Sequence, residues 1–131
     1  MALKLTLKPG ERVAINGAVI VNGDKRTSFL VESKANVLRE ADIMQPEEAT
    51  TPARRIYLPI VMMALAGDPH REYLREFEMR LKEFANAVTD RRALELCLKI
   101  SARVANNDYY KALASCRQLI EFETDRLSHA A

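Results

Sequence analysis

The hydrophobic period of this chain changes once, and that change most limits what it can fold into. From Leu3 to about Arg39, apolar residues recur at every second position between closely spaced turn signals. From Pro52 onward they recur at every third or fourth position. A repeat of two places side chains on one face of a strand, and a repeat near 3.6 places them on one face of a helix. The expectation is an α+β protein. Residues 1–45 form a small antiparallel β-meander of about five short strands, and residues 46–131 form a four-helix unit.

The β part is punctuated at each joint. In "LKLTLKPGERVAING", Leu3, Leu5 and Leu7 alternate with Lys4, Thr6 and Lys8. Pro9-Gly10 turns the chain, because proline presets φ and glycine accepts φ > 0. Arg12–Ile15 is the second strand. Asn16-Gly17 is a strong two-residue hairpin signal, since both residues tolerate the positive φ of a type I′ turn. Ala18–Val21 follows as the third strand, Asn22-Gly23-Asp24 as a turn, and Thr27–Ser33 as the fourth strand. A short fifth strand is expected around Val37–Arg39. Such a sheet is too small to stand alone and must lean on the helices or on a second copy, so a homodimer is one expectation.

Residues 41–51 read as a linker broken at Gln45-Pro46. Thr51-Pro52 has the signature of a helix start, with threonine as N-cap and proline at the first helical position. Pro59 should kink or divide the helix that follows, which ends at Gly67. Asp68-Pro69 repeats the start signal for a helix over about 69–88, with Tyr73, Phe77, Leu81, Phe84 and Val88 on its stripe. Thr89-Asp90 opens a third helix, whose expected face is Ala93, Leu94, Cys97, Ser101 and Val104. Asn106-Asn107-Asp108 stops it and caps a fourth, whose expected stripe is Tyr109, Leu113, Cys116, Ile120 and Leu127. Short connections imply antiparallel neighbours in a small bundle.

Composition narrows the class. Apolar residues make up 48% and charged residues 29%, the balance of a soluble globular chain. No apolar run approaches the roughly 20 residues of a membrane span. The N-terminus lacks a basic-then-apolar leader pattern, so a cytoplasmic location is expected. Cys97 and Cys116 have no metal or redox spacing and read as reduced core thiols. His70 and His129 have no spaced partners, and the glycines punctuate turns rather than form a phosphate loop. Met62 and Met63 read as core. No catalytic constellation, metal site or cofactor is expected, and the chain reads as a non-enzyme.

The charge distribution is more telling than its sum. The net charge is +2. Residues 1–40 hold seven bases (Lys4, Lys8, Arg12, Lys25, Arg26, Lys34, Arg39) against four acids, so they carry +3 and the rest of the chain carries −1. Cations on a small sheet can neutralise phosphates, and single-stranded RNA is the matching class. Against this, Phe29 is the only aromatic residue in the first 40, so no stacking platform of the kind found in many single-strand binders is present. The plain alternative is that lysines on the solvent side of a half-buried strand only keep its edge from pairing.

A resemblance favours the first reading. "MALKLTLKPGERVAINGAVIVNG", "ARRIY" and "NDYYKAL" together resemble the flagellum biosynthesis repressor FlbT family of flagellated alphaproteobacteria, over essentially the whole chain. That implies a post-transcriptional regulator that binds the 5′ untranslated region of flagellin mRNA and promotes its degradation. Some members of that family are also credited with positive effects on flagellin. The opening "LKLTLKPGERVAI" and the later "VLREADI" are similar to the carbon storage regulator CsrA, a small dimeric β protein that binds mRNA leaders. Carried over, Thr6, Lys8 and Arg39 would lie at the RNA surface, with Leu5 near it. Leu7 stands where that family has an arginine, and the interval between Gly10-Glu11 and Arg39-Glu40 is shorter. The expected RNA-binding set is Lys4, Thr6, Lys8, Lys25, Arg26 and Arg39. The rival expectation is a protein-binding adaptor or chaperone-like module for flagellin or another flagellar factor, with Ile56–Leu65 lining an apolar groove.

Overall fold

The structure is a computed structural model that describes residues 2–66 and 71–130, apart from the side chains of 128–130. Gly67, Asp68-Pro69 and His70 lie outside the described residues, as does the His129 side chain. Five strands, β1 (Leu3–Leu7), β2 (Arg12–Ile15), β3 (Ala18–Val21), β4 (Thr27–Val31) and β5 (Val37–Arg39), precede four helices. These are α1 (Pro52–Ala66), α2 (Arg71–Ala87), α3 (Arg91–Ala105) and α4 (Tyr109–Ala130). The α+β class and the order of its parts are those read from the sequence.

The strands do not form one meander. They divide into a two-stranded sheet, β1–β4, and a three-stranded sheet in the order β3–β2–β5. Only β2 and β3 pair as sequence neighbours, across the Asn16-Gly17 turn, where φ is 50° and 84°. At Pro9-Gly10 the chain turns as expected: Gly10 has φ 73° and the Glu11 N–H donates to the Lys8 carbonyl at 3.1 Å. That turn passes the chain from one sheet to the other instead of closing a hairpin.

The alternation explains the two layers. On β1, Leu5 and Leu7 point inward to a small cluster with Val13 and Val37. On β2 and β5, the alternate residues Ala14 and Leu38 join the main core with the helices. The β3–β2–β5 sheet is therefore covered on one face by β1–β4 and on the other by the bundle. Leu7, the departure from the arginine of the CsrA pattern, is buried in the small cluster.

Helix starts follow the cap signals. The Arg54 N–H donates to Thr51 Oγ1 at 3.3 Å, and Pro52 is the first residue of α1. The Ala93 N–H donates to Asp90 Oδ1 at 3.1 Å, and the Lys111 N–H to Asp108 Oδ1 at 3.4 Å. Pro59 does not divide α1, which runs unbroken through it. The carbonyl that loses its partner there belongs to Arg55, an exposed residue. On α2 the stripe is as read, with Phe77 and Phe84 buried and Tyr73 and Leu81 partly so, and Val88, also partly buried, follows just past the helix end. On α3, Leu96 and Ile100 are buried and Ser101 is exposed. On α4, Ala112, Leu119 and Glu123 are buried and Leu127 is exposed. On α3 the inward stripe takes the step of three from Cys97 to Ile100 instead of the step of four to Ser101.

Three polar links fasten the β part to the bundle. Lys34 Nζ donates to the Asn106 carbonyl at 3.1 Å. The Tyr57 hydroxyl donates to the Asp42 carbonyl at 2.6 Å, and Arg117 Nη1 donates to Asp42 Oδ1 at 3.1 Å. Burial, before any other influence, pushes the Tyr57 hydroxyl above its ordinary pKa. Gly17 adds a fourth link, a contact rather than a bond: a Cβ built there would sit 2.5 Å from the Leu65 carbonyl oxygen.

A candidate nucleic-acid interface on the two-stranded sheet

Because Leu5 and Leu7 take the inner face of β1, Lys4 and Thr6 take the outer face. The register sets Lys4 beside Leu30 and Thr6 beside Ser28. The two hydroxyls share a hydrogen bond at 3.0 Å, with either oxygen able to donate. Lys8 follows β1 at the Pro9-Gly10 turn, and Arg26 immediately precedes β4 at the same end of the sheet.

A single carboxamide holds that end together. Asn22 Nδ2 lies 2.9 Å from both the Lys8 and the Lys25 carbonyls, and 3.1 Å from that of Leu7. The backbones at Lys8 and Lys25 are thus side by side, although 17 positions separate them. The Thr27 hydroxyl also donates to the Lys25 carbonyl, at 3.0 Å. The loop bearing Lys25 and Arg26 is therefore bonded at its base, with its cationic side chains in solvent. Among the described residues, no salt bridge occupies Lys4, Lys8, Lys25 or Arg26. The arrangement can present four positive charges around a hydroxyl pair on one open surface.

Arg39 is used differently. It reaches from β5 to the Thr6 carbonyl and to Glu11 Oε2, both at 3.1 Å. It joins the two sheets and is tied to a carboxylate, unlike the four exposed cations. The Lys8 backbone N–H donates to Glu11 Oε1 at 2.9 Å. That bond first, and Arg39 after it, holds the Glu11 carboxyl below its ordinary pKa. Of the six expected residues, five border the β1–β4 sheet, and Arg39 acts behind it. Ser28 and Asn22 were missed by reading the sequence. Ser28 was legible only through the β1–β4 register, which local pattern does not give.

Elsewhere the surface offers less. Most of the Ile56–Leu65 stretch is not available to a groove, because Ile56, Ile60, Val61, Met63 and Ala64 are spent in the main core. A cavity of about 700 Å³ lies instead at one end of the bundle, lined by Phe84, Val88, Phe122 and Leu127. Arg126 stacks over the Phe122 ring, 5.0 Å from its centroid, and donates to Asp90 Oδ2 at 2.8 Å. The Ala93 N–H first, and Arg126 after it, keeps the Asp90 carboxyl below its usual range. Cys97 and Cys116 are both free and buried, and burial raises both thiols. Among the described residues, no three His, Cys, Asp or Glu side chains converge as a metal site, and no helix is long and apolar enough to cross a membrane.

The chain is thus an α+β protein whose small, lysine-faced sheet is carried on a four-helix bundle. It belongs to the FlbT family: the family model described as "Flagellar protein FlbT" matches residues 3–127. The chain is 49% identical over 131 residues to the Caulobacter vibrioides "Flagellum biosynthesis repressor protein FlbT", covering all of this chain and 93% of that protein. It is 51% identical over 132 residues to a "Probable flagellum biosynthesis repressor protein FlbT" from a Caulobacter species, with both chains fully covered. It is 40% identical over 130 residues to a protein of the same description from Rhodopseudomonas palustris, covering 98% of this chain and 99% of that one. No solved structure matches the chain.

Proposed function

We propose that this protein is a post-transcriptional repressor of flagellum biogenesis, which binds the 5′ leader of flagellin mRNA in the cytoplasm and promotes its decay. The repressor part of this reading rests on its relatives, which carry that description. The RNA part rests on one observation: Lys4 shares the open face of the β1–β4 sheet with the Thr6–Ser28 hydroxyl pair, and Lys8, Lys25 and Arg26 are exposed at one end of that sheet. The cations hold the phosphate backbone and supply affinity. The hydroxyls and exposed strand backbone contact unpaired bases. Decay follows from a change in the message's accessibility or from recruitment of a nuclease, so the protein's own role is non-catalytic and requires no cofactor.

The test is binding to a labelled flagellin 5′ leader across a salt series. Four phosphate contacts on a single strand give a slope of about −2.8 in log K against log salt. That is a loss of about 50-fold between 50 and 200 mM. The triple variant Lys4→Ala, Lys25→Ala, Arg26→Ala should bind far more weakly and show a slope near −0.7. An unchanged slope in that variant, or equal affinity for an unrelated RNA, would remove the sheet as the RNA site.

A further inference from the structure

The β3 strand has the sequence of an interior strand and the position of an edge strand. Its residues, Ala18-Val19-Ile20-Val21, are apolar without alternation, a pattern that belongs to strands covered on both faces. Its neighbour β2 is covered in that way, with Val13 in the small cluster and Ala14 in the main core. The cover stops short of β3. Val19 is 65% exposed, Ile20 41% and Val21 58%, and among the described residues β3 has only β2 as a pairing partner. Exposed edges are normally blunted with charge or proline, and β3 carries neither. A shallow notch of about 230 Å³ runs beside it, with Val19, Ala14, Leu38 and Leu65 in its lining.

The hydrogen-bond parity of this edge is fixed. Ala18, Ile20 and Asn22 face β2, since the Asn22 N–H donates to the Glu11 carbonyl at 2.9 Å and the register pairs Val13 with Ile20. The backbone groups of Val19 and Val21 therefore point outward, unpaired. Such an edge is complementary to itself. An antiparallel second copy related by a two-fold axis at Ile20 sets Val19 against Val21 of the second copy, and Val21 against Val19 of the second copy. Both pairs exchange two backbone bonds, and the two Ile20 side chains meet at the centre. Four valines then form one patch on the face with Ala14. Asp24, the nearest charge after the strand, falls opposite Asn16 of the second copy, so no like charges are opposed.

We infer that β3 is the interface through which two copies of this chain associate, joining their three-stranded sheets into one sheet of six. This does not depend on RNA binding, because β3 lies outside the β1–β4 sheet. A four-residue pairing is at the small end of specific interfaces, so the dimer forms and dissociates with concentration.

Sedimentation of the RNA-free protein over a wide concentration range tests this. The wild type should shift from monomer to twice that mass as concentration rises. The double variant Val19→Lys, Val21→Lys should stay monomeric at every concentration with an unchanged circular dichroism spectrum, because both sites are exposed. A second pair of variants tests the register. Under mild oxidation, Ile20→Cys should form a disulfide-linked dimer, because a non-hydrogen-bonded pair brings the two residues close enough. Val19→Cys should cross-link much less, since Val21 of the second copy stands opposite it. The buried native thiols do not compete. A wild type that remains monomeric, a lysine variant that associates as tightly as the wild type, or equal cross-linking at positions 19 and 20 would each overturn the proposal.

Discussion

Gly17 tests how the β part is seated on the bundle, because three glycines separate two energy terms there. Gly23 has no positive φ and nothing within 4 Å of an added Cβ. Alanine at Gly23 should be neutral, or stabilising by about 0.5 kcal/mol through the unfolded chain. Gly10 has φ +73° and open space, so alanine there meets backbone strain alone. That strain costs about 1–2 kcal/mol. Gly17 has φ +84°, and its added Cβ would lie 2.5 Å from the Leu65 carbonyl oxygen, which is backbone and cannot rotate aside. The same strain applies, plus about 1–3 kcal/mol for overpacking. Gly17→Ala should therefore be less stable than Gly10→Ala by about 1–3 kcal/mol. For a chain of 131 residues, that is about 4–12 °C in Tm. Thermal and urea unfolding of the three variants side by side would measure it. If Gly17→Ala melts within about 2 °C of Gly10→Ala, the hairpin does not rest on the end of α1.

Two further outcomes follow from single carboxylates. Glu11 has a folded pKa below its unfolded value of about 4.3, so its contribution is complete above that pH and disappears as pH falls through the folded value. The wild type should lose Tm between pH 5 and 3 more steeply than Glu11→Gln does, and Arg39→Met should flatten the same limb; parallel curves would refute the pairing. Glu123 accepts the Ala53 N–H at 2.8 Å in a buried position, so Glu123→Ala strands a donor and should cost about 1–3 kcal/mol in urea unfolding. Glu123→Gln keeps an acceptor oxygen and should lose less.

The legible parts of this fold were those governed by neighbours in sequence. Asn16-Gly17, Pro9-Gly10, Thr51-Pro52 and Asp90 each fix a local conformation through their own chemistry, and each turn or cap is where its residues put it. The sheet pairing was not local. Nothing within Leu3–Leu7 says whether its partner is β2 or β4, because the alternation of leucines suits either. Arg39 shows the same limit at the candidate site. Its sequence surroundings mark it as one more cation near the sheet. Only the fold brings Glu11 and the Thr6 carbonyl to it, from 28 and 33 residues away. Lys4, Lys8, Lys25 and Arg26 were readable as exposed because they alternate with apolar residues or sit in turns. The gathering of Lys8, Lys25 and Arg26 at one end depends on Asn22, whose carboxamide gave no signal beyond a turn residue.

The alternate residues of β2 and β5 go to different cores, Val13 and Val37 to one and Ala14 and Leu38 to the other. These two strands act as a shared wall. A wall cannot lose one room and keep its shape. Separating the chain near residue 45 would strip one side of both strands, and melting the bundle would do the same. The lysine-faced sheet therefore has no independent existence from the helices. Heat or denaturant should remove both in one transition, and any partner that loosens the bundle would reach the cationic surface through this wall.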